Sequence, residues 1–136
     1  MNLRVSKKKF IYLISPNKIY PQFYQDLKKV LDAGKIAIFQ LRLKKYSLKQ
    51  KIVIGKKIQQ ICKKNNIKFI VNDDPILSKT LNADGCHLGQ KDMDIKNARK
   101  IIGKKIIGVT CHNSIKLAKA AIKENADYIA FGAFFS

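Results

Sequence analysis

From Phe10 onward, short apolar runs alternate with stretches of helical period. The first run, Phe10–Ser15, reads as a strand and stops at Pro16. A helix is predicted from Pro21 to Ala33, because Phe23, Leu27, Val30 and Leu31 recur at helical spacing and Gly34 follows. Ile36–Leu43 is the second predicted strand, and Ser47 is placed to cap a helix running to Asn66 with Ile52, Ile58, Ile61 and Cys62 on one side. Strand three is Lys68–Val71, followed by a short helix, Pro75–Leu81, and a short strand, Gly85–Leu88. Asp94 caps a helix that Gly103 ends, Lys105–Thr110 is the fifth strand, Ser114 caps a helix to Asn125, and Tyr128–Phe135 is the sixth strand.

This strict alternation defines an α/β fold with a parallel sheet, either open and doubly wound or closed into a barrel. The strands are nearly continuous apolar runs, as expected of parallel strands covered on both faces. No linker or low-complexity stretch interrupts the 136 residues, so a single domain spanning 1–136 is expected. The final strand, ending at Ser136, has no helix after it to shield a face, so the chain is expected to stop short of the end of its fold.

Composition changes this picture little. An apolar fraction of 46% suits a packed core and argues against disorder. No apolar run is long enough for a membrane span or a secretory leader, so a cytoplasmic protein is expected. The net charge of +19 is large, but three of the 28 basic residues are arginines (Arg4, Arg42, Arg99) and the rest are lysines scattered along the chain. Abundant Lys, Ile and Asn together suggest a drift toward A/T-rich codons. Dispersed lysines attract polyanions, yet no nucleic-acid-binding signature accompanies them. The three cysteines, Cys62, Cys86 and Cys111, lack paired spacing and read as small buried thiols. A zinc site from Cys86, His87, Cys111 and His112 is disfavoured, because neighbours in a strand point to opposite faces.

Polar residues concentrate where the strands end, which is where parallel α/β folds place their chemistry. Gln40-Leu41-Arg42-Leu43-Lys44 closes strand two, and a period of two would put Gln40, Arg42 and Lys44 on one face. Asn72-Asp73-Asp74 follows strand three, Gly89-Gln90-Lys91-Asp92 follows strand four, and Thr110-Cys111-His112-Asn113 follows strand five. Each residue has a structural explanation when taken singly. Asp73 or Asp74 would cap the next helix, Arg42 would pair with an acid, and Gln90–Asp92 would form a solvated turn. Thr110 would be a β-branched strand residue, and His87 and His112 would hydrogen-bond rather than bind metal. Their common position argues for a site: Asp73 and Asp92 are hard oxygen donors of the kind magnesium and a diphosphate need, with Arg42 and Lys44 to neutralise phosphate oxygens.

In order along the chain, these segments resemble the thiamine-phosphate synthase family. They are Tyr12–Ser15, Gln40–Lys44, Val71-Asn72-Asp73, Asp84–Asp92, Gly108–His112 and Ala126–Gly132. The resemblance implies a TIM (β/α)8 barrel, here incomplete with about six parallel strands and five helices. It implies a transferase that joins 4-amino-2-methyl-5-(diphosphooxymethyl)pyrimidine to 4-methyl-5-(2-phosphooxyethyl)thiazole with Mg2+ by a dissociative route. Gln40, Leu41, Arg42, Leu43, Lys44, Asn72 and Thr110 would bind the pyrimidine diphosphate. Arg42 and Lys44 would act catalytically, and Asp73 and Asp92 would hold Mg2+. Thr110 stands where the family has Ser, and Ala133 where it usually has Pro. By the same resemblance, the family's later phosphate-binding Thr and Lys, and the loops that grip the thiazole phosphate, would be expected beyond Ser136. The implied partners are small molecules, neither membrane nor nucleic acid, and self-association is left open. Two other readings compete: a thiazole tautomerase on the same fold, which has no need of the diphosphate and metal set, and a non-catalytic basic α/β module that binds a polyanion such as nucleic acid.

Overall fold

The computed structural model describes residues 9–132. Its element order is β1 (Ile11–Ile14), α1 (Phe23–Asp32), β2 (Ile36–Leu41), α2 (Leu48–Lys64), β3 (Lys68–Asn72), α3 (Pro75–Thr80), β4 (Gly85–Leu88), α4 (Ile95–Ile102), β5 (Ile106–Thr110), α5 (Ile115–Lys123) and β6 (Tyr128–Ala130). The six strands and five helices alternate as the sequence predicts, and every described pairing is parallel. The chain divides into two compact units, Met1–Phe69 and Ile70–Ser136.

In the first unit β1 pairs with β2, with Ile14 opposite Gln40 and Leu13 opposite Phe39. Phe23, Leu27 and Leu31 recur every fourth residue of α1 and are buried, whereas Val30 is exposed. Phe39 is fully buried, its ring 6.4 Å from Phe23 and stacked at 6.4 Å on Phe69. The α2 helix buries Gly55, Ile58, Ile61 and Cys62, with Ile52 only half-buried. Ser47 starts it with a capping box: its hydroxyl takes the Gln50 N–H, and the Gln50 side chain takes the Ser47 N–H.

The second unit runs β3–β4–β5–β6 through parallel ladders that align Asn72, His87, Gly108 and Tyr128 in one row. The alternation of a strand then sorts side chains by face. Cys86, Leu88, Ile107 and Val109 join Ile95, Ala98, Ile102, Ala118 and Ala121 in a core against α4 and α5. Asn72, His87, Gly108, Thr110 and Tyr128 occupy the other face.

Helix ends carry much of the local specification. Asp74, Asp94 and Ser114 each accept a backbone N–H three residues on and start α3, α4 and α5. Asn66, Asn82 and Asn125 follow α2, α3 and α5 with left-handed backbones (φ 56°, 50° and 67°). Behind them Ile67, Ala83 and Ala126 donate to the carbonyls of Cys62, Ser78 and Ala121, which closes three Schellman motifs. Part of the abundant asparagine thus serves helix termination. At the opposite end of the sheet from the polar loops, Asp127 Oδ2 accepts from Ile107 N–H and pairs with Arg99, both at 2.8 Å.

Most boundaries shift by a residue or two from expectation. The α1 helix begins two residues after Pro21. The β2 strand ends at Leu41 rather than Leu43, because the Arg42 N–H turns to Ser15 Oγ (2.8 Å). The β6 strand is described over Tyr128–Ala130, and positions 133–135 of the predicted strand, with the Ala133 substitution, lie outside the described residues.

Candidate functional site

In the first unit the predicted row of Gln40, Arg42 and Lys44 is broken after its first member. Gln40 is 3% exposed and donates through Nε2 to Tyr12 Oη at 2.7 Å, so its amide is held within the β1–β2 pair. Arg42 and Lys44 lie past the strand and are exposed. Their backbone is pinned all the same. Ser15 Oγ accepts from Arg42 N–H and donates to Arg42 C=O (3.3 Å), and Lys44 N–H donates to Asn17 C=O (3.1 Å). Two long cations therefore project from a loop whose main chain is fixed by the end of β1. Leu41 is buried with its side chain on the Phe39 side of the strand, and Leu43 is half-buried.

In the second unit the two neighbouring aspartates after β3 separate by role. Asp74 Oδ1 accepts Leu77 N–H at 3.0 Å and caps α3. Asp73 is exposed, adopts φ 67° and donates its N–H to His87 C=O at 2.7 Å, which fixes its main chain against the end of β4. Asp92 is half-buried and closes the turn after β4, with its Oδ2 accepting Gly89 N–H at 2.7 Å. It also lines a cavity of about 200 Å3 with Gly89, Gln90, Met93, Leu117 and Glu124. Gln90 Nε2 donates to Thr110 C=O at 2.7 Å.

One cluster was not anticipated in full. His87 is 7% exposed and engaged at both ring nitrogens, Nδ1 with Tyr128 Oη at 2.8 Å and Nε2 with Thr110 Oγ1 at 2.7 Å. It is thus a hydrogen-bonding residue, as the sequence suggested, but its partner Tyr128 was missed. The signal available was Gly108: the pairing puts it between His87 and Tyr128, where a side chain would occupy the space of the Tyr128 ring.

The cysteines behave as small buried thiols: all three are buried and outside any disulfide among the described residues. Burial pushes the Cys86 thiol up to about 12 and raises that of Cys111, so neither is a ready thiolate. Cys86 faces the helices while His87 faces away, which removes the zinc arrangement. Among the described residues no group of three or more His, Cys, Asp or Glu gathers to hold a metal ion. Asp73 and Asp92, on the ends of paired strands, still suit a hard cation that takes one or two carboxylates and completes its shell with water and phosphate.

Among the described residues no helix is long and apolar enough to cross a membrane. Six parallel strands in the sequential order β1-β2-β3-β4-β5-β6, each joined to the next by a helix, define part of a barrel of the TIM class, whose chemistry sits past the strands' carboxyl ends. Residues 11–136 match the family described as thiamine monophosphate synthase, and the chain belongs to that family. The thiamine-phosphate synthase of Pelagibacter ubique (strain HTCC1062) is 65% identical over 130 residues, which cover 95% of this chain and 63% of that protein. The thiamine-phosphate synthase of Erythrobacter litoralis (strain HTCC2594) is 44% identical over 128 residues, covering 92% and 60%. A solved thiamine phosphate pyrophosphorylase from Pyrococcus furiosus matches with a TM-score of 0.83 at 29% identity, over 93% of this chain and 61% of that one. The chain therefore spans about three fifths of the length of these relatives.

Proposed function

We propose that the chain supplies the diphosphate-handling part of a thiamine-phosphate synthase, a transferase that alkylates the nitrogen of a thiazole phosphate with an aminopyrimidine methyl diphosphate. The observation that carries this reading is the ordered set Gln40–Lys44, Asn72-Asp73 and Asp92, with Thr110, all at or just past strand carboxyl ends in a chain 65% identical to a named synthase.

In the reaction the bond from the pyrimidine methylene to the diphosphate oxygen breaks, and its electron pair leaves with the diphosphate. The aminopyrimidine ring stabilises the methylene cation, and the thiazole nitrogen lone pair then forms the new carbon–nitrogen bond. Negative charge grows on the leaving group, so the work required of the protein is electrostatic. Arg42 offers a planar fork to two phosphate oxygens and Lys44 a point charge, from a loop that Ser15 and Asn17 hold in place. Asn72 offers its amide and Thr110 its hydroxyl to the same substrate. Asp73 and Asp92 would hold Mg2+, which supplies further neutralisation of the diphosphate when bound. Replacing the Thr110 methyl by hydrogen would leave the hydroxyl in place, so this departure from the family's Ser costs little.

The test is turnover by the full-length protein on the two phosphorylated substrates with and without EDTA. Thiamine phosphate and diphosphate should form together, and chelation should stop both. Metal-independent rearrangement of a thiazole phosphate would instead identify a tautomerase. No turnover, with nucleic-acid binding that weakens steeply as salt rises, would identify a basic binding module.

A further inference from the structure

The sheet face of the Ile70–Ser136 unit that points away from α4 and α5 carries a three-member relay whose direction has a consequence for the ligand. The Tyr128 hydroxyl meets His87 Nδ1, and His87 Nε2 meets the Thr110 hydroxyl. The Tyr128 and His87 rings stack at 5.5 Å, and Gly108 leaves the space the phenol ring fills. A neutral imidazole has one N–H, so the two hydrogen bonds cannot both be donated by the ring. A phenol is a much stronger acid than an aliphatic alcohol and is the better donor of the two hydroxyls. The favoured arrangement is therefore phenol O–H to Nδ1 and Nε2–H to Thr110 Oγ1. The Thr110 oxygen then accepts from the ring, and its own proton must point elsewhere. In the reverse tautomer that proton would be taken up by Nε2, and Thr110 would present only lone pairs, which repel an anion.

We propose that Tyr128 is a positioning residue that fixes His87 as its Nε2–H tautomer, so that Thr110 offers its hydroxyl proton to a bound diphosphate. This rests on the reading above that Thr110 meets the diphosphate. The relay itself rests only on the hydrogen bonds within this unit.

His87 and His112 are the chain's two histidines, so 15N-histidine NMR of the intact protein gives two imidazoles, which His112→Gln assigns. His87 should show a protonated Nε2 and an unprotonated Nδ1. Tyr128→Phe keeps a ring over Gly108 but removes the donor; the Nε2–H preference should collapse, and the dissociation constant for inorganic pyrophosphate with magnesium should rise about tenfold. The same change added to Thr110→Val should cause no further loss, and Thr110→Ser should bind as the wild type does. A protonated Nδ1 in the wild type would overturn the relay without any variant, as would an unchanged tautomer in Tyr128→Phe. Unaltered pyrophosphate binding by Thr110→Val, with the Nε2–H tautomer intact, would instead overturn the diphosphate assignment of Thr110 and with it the ligand proposed here.

Discussion

Gly108→Ala tests the packing beneath the relay. Gly108 lies in register between His87 on β4 and Tyr128 on β6. A Cβ built there falls onto Cζ, Cε1 and the hydroxyl oxygen of Tyr128, far inside the 3.4–4 Å of ordinary contact. The ring has to retreat by roughly 1 Å or more, which takes the 2.8 Å bond to His87 beyond hydrogen-bond reach. Overpacking costs about 1–3 kcal/mol, and leaving a buried ring nitrogen without its partner adds about 1–3 kcal/mol. Some of this is relieved as the ring relaxes, so Gly108→Ala should lower unfolding stability by about 2–4 kcal/mol, read from urea midpoints at constant m. Tyr128→Ala alone loses the ring and its hydrogen bond, but in the double variant the added methyl has room. The cycle should therefore show a favourable coupling of about 1–3 kcal/mol. A Gly108→Ala protein within about 0.5 kcal/mol of the wild type, or strictly additive losses, would refute the reasoning.

The adjacent acids after β3 should separate in experiment. Asp74→Ala removes the α3 cap and should cost about 1 kcal/mol of stability while leaving turnover near wild type. Asp73→Asn, which tolerates the left-handed backbone at φ 67°, should fold normally and lose magnesium-dependent turnover. Near-normal turnover in that variant would remove Asp73 from the metal site. The Cys86 thiol, pushed from 9.0 to about 12 by burial, keeps its proton in the native state where the unfolded chain releases it. Its contribution to stability is thus whole below about pH 9 and is lost as pH rises from there toward 12. Urea midpoints of wild type and Cys86→Ala, compared from about pH 8 to about pH 10, should converge as pH rises, and a constant gap would contradict the assignment.

Much of this fold was legible because its punctuation is local. Ser47, Asp94 and Ser114 cap the helices they precede, and Gly103 ends α4, since each depends on backbone groups a few residues away. Strand ends were harder. Leu43 continued the apolar alternation of β2, but the Arg42 N–H is taken by Ser15, 27 residues earlier, and no local pattern reports that bond. For the same reason the bond from Gln40 Nε2 to Tyr12, 28 residues earlier, could not be read from the strand's alternation. Composition alone could not say which of Asp73 and Asp74 would cap α3. The Tyr128–His87–Thr110 relay joins three strands through their register, so only Gly108, a small residue in an otherwise bulky strand, hinted at it.

The central claim is that the acids after β3 and β4, Asp73 and Asp92, serve one departing diphosphate. A double-mutant cycle of Asp73→Asn and Asp92→Asn on kcat/KM of the full-length protein addresses it most directly. The account predicts large losses from each change and a double variant little worse than the more damaged single one, because groups acting on one transition state are not additive. Two losses that simply multiply, or a single variant that keeps wild-type turnover, would contradict it.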